Sequence, residues 1–83
     1  MRTFYLQVTH KDGSAEQGTP FHMVETADDL KGCTLLAINP TPRPGVLYLH
    51  LRDEYGDDFP SVMARLDLVN ELNLINCIGR TFE

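Results

Sequence analysis

The sequence predicts an α+β fold: a mainly antiparallel sheet of about four to five strands with one main helix packed on one face. Three observations carry this expectation. "TFYLQVTH" and "VLYLHLR" alternate apolar and polar residues with the period of a half-buried strand. "PSVMARLDLVNELN", with Phe59 before it, spaces its apolar residues at helical intervals. The strand-like segments are grouped and do not alternate with helices, which argues against a parallel, doubly wound sheet. With 83 residues, 42% of them hydrophobic and 23% charged, the chain is expected to form one domain over residues 1–83 around a single modest core.

The first strand places Phe4, Leu6 and Val8 on one side and Tyr5, Gln7 and Thr9 on the other. "KDGSAEQGTP", with Gly13, Gly18 and Pro20, reads as a polar loop longer than a tight hairpin turn. "FHMVET" is the second strand. "TADDLKG" then describes one short helical turn, with Thr26 at the N-cap, Asp28 and Asp29 in the first turn and Gly32 at the end. "CTLLAIN" is apolar on both alternating faces, which fits a strand covered on both sides better than an edge strand. "PTPRPG" has three prolines at alternate positions and forms a stiff, extended connection.

In the next strand Leu47, Leu49 and Leu51 face the core, and Tyr48, His50 and Arg52 face away. Beyond it, Phe59, Val62, Met63 and Leu66 stand at i, i+3, i+4 and i+7, so a helix is expected to start around Pro60. After Leu66 the apolar set becomes Leu68, Val69 and Leu72, a face rotated by roughly a third of a turn at 100° per residue. The helix therefore bends, or its apolar face is broad. Leu74, Ile75, Cys77 and Ile78 suit a short final strand ended by Gly79.

Charge narrows the function. The formal net charge is −5, and the seven cations are scattered with no two adjacent. A direct nucleic-acid binder concentrates Lys and Arg on one face, so direct nucleic-acid binding is not expected. No apolar run is long enough for a membrane span. The start "MRTFYLQV" lacks the pattern of a secretory signal. Cys33 and Cys77 form no CxxC pair, and the chain reads as cytoplasmic with both thiols reduced.

"RDEYGDDFP" is the densest cluster of charge. Starting from Asp53, an EF-hand loop would need an acid where Tyr55 stands and a glycine where Asp58 stands, so the match fails. A catalytic carboxylate pair needs one partly buried member, which these polar neighbours do not offer. Gly56 supplies a turn, and Asp57 or Asp58 is expected to cap the following helix. Asp53 and Glu54 remain as surplus charge beside Tyr55, a residue type favoured at interfaces.

No two of His10, His22, His50, Cys33 and Cys77 lie close enough in sequence for a zinc-ligand pair. No P-loop, dinucleotide fingerprint or GxSxG context occurs. No metal, cofactor or catalytic residue is expected. If the first and fourth strands are neighbours, Tyr5, Gln7, Thr9, Tyr48, His50 and Arg52 share a face suited to protein contact.

These observations predict a small acidic, non-enzymatic protein-binding module. Its expected partner is a basic protein, such as a nucleic-acid-binding complex, whose Arg and Lys meet carboxylates in place of phosphates. The expected contact residues are Asp53, Glu54, Tyr55, Asp57, Asp58, Asp28, Asp29, Tyr48 and His50. Anti-CRISPR and immunity proteins are an analogy of class, resting on size and charge. The rival expectations are a regulatory or assembly subunit that dimerises through its sheet, and a small enzyme or ligand-binding domain using His22, His50 or Cys33.

Overall fold

A computed structural model describes residues 1–59 and 61–83. Five strands, β1 (Arg2–Thr9), β2 (Ala15–Val24), β3 (Thr34–Pro40), β4 (Val46–Arg52) and β5 (Val62–Arg65), form one sheet in the order β1-β2-β5-β4-β3. The α+β class holds, but the sheet is mixed: β5 runs parallel to β2 and antiparallel to β4. One α-helix, α1 (Leu66–Glu71), follows β5 directly. Two 3-10 turns, Ala27–Leu30 and Leu74–Cys77, complete the second layer.

The largest departure from expectation is at residues 61–65. The expected helix start at Pro60 lies outside the described residues, and Val62–Arg65 is a central strand. Val62 and Ala64 are buried at 1% and 0% exposure, while Met63 and Arg65 point the other way. Val62 and Met63 fit either period, so helical spacing and strand alternation coincide there. The rotation of the apolar face after Leu66 is the junction itself: strand ends, helix begins. Only Leu68 and Val69 of α1 are buried, and the helix has six residues.

The chain end also differs. Leu74–Cys77 is a 3-10 turn with Leu74 fully buried, not a strand. Its entry residue Asn73 has φ +54, a left-handed conformation that asparagine tolerates. Residues 79–82 then run back along β3. Leu35 N–H donates to Arg80 O (3.1 Å), and Phe82 N–H donates to Cys33 O (2.9 Å). So β3 is an edge strand, not an inner one, and the C-terminal segment shields its first end. Pro40 at its end suits that edge position.

The long loop expected after β1 is mostly strand. β2 begins at Ala15, and the turn closes with His10 N–H on Ser14 O at 2.8 Å. Asp12 accepts bonds from the Ser14 amide and hydroxyl, which holds its carboxyl below the usual range. A bulge sets one residue of β1, Leu6, against two of β2, Gly18 and Thr19. Only glycine fits there, because a Cβ at Gly18 would stand 2.5 Å from the Leu6 carbonyl oxygen.

The core lies on one face of the sheet, among Val24, Leu35, Leu49, Leu51, Val62 and Ala64. Leu30, Leu68, Val69 and Leu74 cover them from the helical layer. Leu49 and Leu51 face this core and Tyr48, His50 and Arg52 face away, as the alternation of β4 predicts. The molecule measures 47 × 29 × 18 Å, the thickness of a sheet and one covering layer.

Candidate protein-binding surface

β1 defines the site. All eight of its residues are exposed. Phe4, Leu6 and Val8 do share a side, but it is the side away from the core. Phe4 pairs with Phe21 in register, and their rings stack at 5.5 Å between centroids. Arg2 pairs with Met23, Met23 with Met63, and Met63 with Tyr48. That row crosses four strands on the face no helix covers. Leu6, Phe21, Met23, Met63 and Tyr48 line a shallow depression of ≈ 350 Å³ there. Its wall is Thr41, Pro42 and Arg43 of the proline-rich connection. Thr41 holds that connection in place, its hydroxyl bonded to Arg43 O and Val46 O at 2.9 Å each.

The exposed apolar side chains are substantial: Phe4 37%, Leu6 61%, Val8 42% and Tyr48 37%. Large exposed apolar patches rimmed by charge occur at protein and ligand contact sites and at aggregation-prone surfaces. The rim holds Arg2, paired with Glu25 at 3.3 Å, and Arg65, paired with Asp67 at 3.3 Å. Arg2 also lies over the Phe4 ring, 5.4 Å from its centroid. The expected grouping of Tyr5, Gln7 and Thr9 with Tyr48, His50 and Arg52 does not form. β1 and β4 are separated by two strands, and their alternation places the two sets on opposite faces.

The acidic stretch after β4 is largely occupied with its own turn. The Asp53 carboxylate accepts from the Tyr55 and Asp57 amides at 2.9 Å each. Asp53 N–H donates to Asp57 O (2.8 Å), and Gly56 takes φ +87 to close the loop. Asp58 does not cap a helix. Its carboxylate meets Arg52 Nε at 3.2 Å and His50 Nε2 at 3.4 Å, and the Arg52 and His50 hydrogen bonds hold its carboxyl below the usual range. Asp57 caps no helix either, since none begins there. What projects outward is Tyr55, 82% exposed, with Glu54 and Asp57 beside it. This corner continues from the end of β4, and Asp58 fastens it to His50 and Arg52 of that strand.

Asp28 and Asp29 lie elsewhere, in the first 3-10 turn. Asp29 accepts from the Glu25 amide (2.9 Å) and the Thr26 amide (3.2 Å), and pairs with the Met1 ammonium. Burial alone would raise its carboxyl, but these bonds outweigh it and hold it low. Asp29 is thus spent on structure, while Asp28 is exposed.

The residues of the enzyme reading are dispersed. Cys33 is 5% exposed within the core cluster. Burial pushes its thiol up, and the charges of Asp53 and Glu54 push it further, the reverse of what a nucleophile needs. His22 Nδ1 meets the Thr3 hydroxyl at 3.0 Å, with Phe59 at its edge. His50 is half exposed and faces Asp58. Both cysteines are unpaired. Among the described residues no group of three His, Cys, Asp or Glu side chains could hold a metal ion, and no helix is long and apolar enough to cross a membrane.

No family model matches this chain, and no curated protein and no solved structure is significantly similar to it.

Proposed function

We propose that this chain is a small, non-enzymatic protein-binding module whose contact surface is the open face of its sheet. One observation carries the reading: apolar side chains from four strands converge on a face that the helical layer leaves bare. Large aromatic and methionine side chains of this kind form the anchors of protein interfaces. The acidic corner follows the end of β4 and is tied through Asp58 to His50 and Arg52, which lie on the Tyr48 side of that strand. There Glu54, Tyr55 and Asp57 give a basic partner its orientation and, with a net charge of −5, its electrostatic steering. In this reading the module inhibits, covering a basic, nucleic-acid-binding surface of its partner.

Two variants divide the surface. Tyr48→Glu with Met63→Lys places charge at the centre of the apolar row and leaves the core untouched. Replacing Asp53, Glu54, Asp57 and Asp58 by Asn or Gln removes the acidic corner. Tagged protein incubated with a lysate of the native host is expected to lose its captured partner in the first variant. In the second, capture is expected to weaken and to become less sensitive to salt. Unchanged capture by the first variant contradicts the open-face reading. Unchanged capture by the second removes the basic partner from it.

A further inference from the structure

We infer that β1 pairs antiparallel with β1 of a second copy of this chain, joining two five-stranded sheets into one. The inference uses the edge of the sheet rather than its face, so it stands apart from the protein-binding reading above. The two edges of this sheet are treated differently. At the start of β3, residues 79–82 occupy backbone groups of Gly32, Cys33 and Leu35 through four hydrogen bonds: Gly79 N–H to Leu35 O, Leu35 N–H to Arg80 O, Phe82 N–H to Cys33 O and Gly32 N–H to Phe82 O. Pro40, which has no N–H, ends the strand. Among the described residues nothing comparable lies along β1, which pairs with β2 on one side only. Edge strands are normally blunted by lysine, proline, shortness or an inward charge. β1 has eight residues, no proline and no lysine, and between Thr3 and Thr9 it carries no Asp, Glu, Lys, Arg or His.

The sequence of β1 also fits its own reverse. Phe4, Leu6 and Val8 are symmetric about Leu6. A two-fold axis through Leu6, perpendicular to the sheet, sets Leu6 against Leu6 of the second copy and Phe4 against Val8 of the second copy. The apolar stripes then merge on one face. On the other face Tyr5 meets Gln7, and Thr3 meets Thr9. No acids meet across the two β1 strands, although the whole chain is at −5, because β1 carries none; Glu16 of β2, beside Val8, is paired with His10 at 3.2 Å. An isologous contact of this kind needs no second sequence, which is why a further copy of this chain is the occupant. A strand-to-strand contact lies at the small end of specific interfaces, so a dissociation constant of about micromolar is expected.

Light scattering behind size exclusion tests this on the full chain. At about 100 μM, well above a micromolar dissociation constant, the mass is expected to be twice 9.4 kDa. Leu6→Lys sets two ammonium groups against each other at the axis. Leu6 is 61% exposed, so the variant keeps its fold by circular dichroism, and its mass is expected to fall to that of the monomer. Tyr48→Glu, on β4 across the sheet, is expected to remain a dimer. A monomeric wild type at that concentration overturns the inference. So does a Leu6→Lys variant that stays dimeric. Dissociation by Tyr48→Glu overturns it as well, since the copies would then meet face to face.

Discussion

Leu51→Ala is expected to remove most of the stability of this fold. Leu51 lies on β4, is 0% exposed, and pairs in register with Leu35, also 0% exposed. It sits among the core side chains under the helical layer, with no solvent-facing side to relax into. Truncating a leucine so placed costs about 2–5 kcal/mol, from lost transfer energy and from the cavity left behind. A domain of this size holds only about 3–5 kcal/mol from its core. Urea unfolding followed by circular dichroism should therefore show the midpoint collapse toward zero denaturant. Leu6→Ala is the contrast. That leucine is 61% exposed on β1, and its loss should move stability by no more than about 0.5 kcal/mol. Equal effects from the two substitutions would mean that the core has been assigned to the wrong face.

Ala64→Leu is expected to destabilise the protein by about 1–3 kcal/mol through overpacking. Ala64 is 0% exposed on β5, in register with Val24 on one side and Leu47 on the other. α1 begins two residues later, and the space above Ala64 is filled by the helical layer. The same substitution separates this fold from the helix that the spacing suggests. On a helix beginning near residue 60, Ala64 would lie across from the face made by Val62 and Leu66, at 100° per residue. Leucine there would be solvent-exposed and nearly neutral. Thermal unfolding decides between the two: a drop of several degrees supports the strand, and no change supports the helix.

β4 was legible because it is half-buried in the ordinary way, with leucines toward the core and polar or amphipathic side chains outward. β1 was legible only in its alternation. Phe4, Leu6 and Val8 announce an apolar side, but nothing local says whether that side meets the core or stands open. Here Phe21 and Met23 extend the same side into β2. Their alternation with His22 and Val24 was the available signal that both faces of this sheet are partly apolar. Val62–Arg65 was illegible for a different reason. Four residues of strand run straight into a helix, and their apolar positions also satisfy a 3.6-residue repeat. Tertiary pairing with β2 and β4, which no local pattern reports, decides it.

The acidic stretch was half legible. Gly56 as a turn residue follows from composition. The use of Asp53 to cap that turn was missed, although Asp53-Glu54-Tyr55-Gly56 carries its signature, an aspartate at the first position and a glycine at the fourth. Helix capping by Asp57 or Asp58 failed because the helix it depended on starts at Leu66. Part of the apparent surplus of negative charge is thus internal bookkeeping of hydrogen bonds by Asp53, Asp58 and Asp29. What stays exposed and uncommitted to such bonds is Glu54, Tyr55, Asp57 and Asp28 at the periphery, and the apolar row across the open face.

The three methionines offer the most direct test of that row. Met23 and Met63 are register partners at its centre, and Met1 stands apart beside Asp29. With the methionine methyls isotope-labelled, the partner recovered by capture can be titrated in and each methyl signal followed by NMR. The account predicts that the Met23 and Met63 signals shift or broaden together as the complex forms, while Met1 changes little. Binding that leaves Met23 and Met63 unmoved would contradict it, and would place the contact somewhere other than the open face of the sheet.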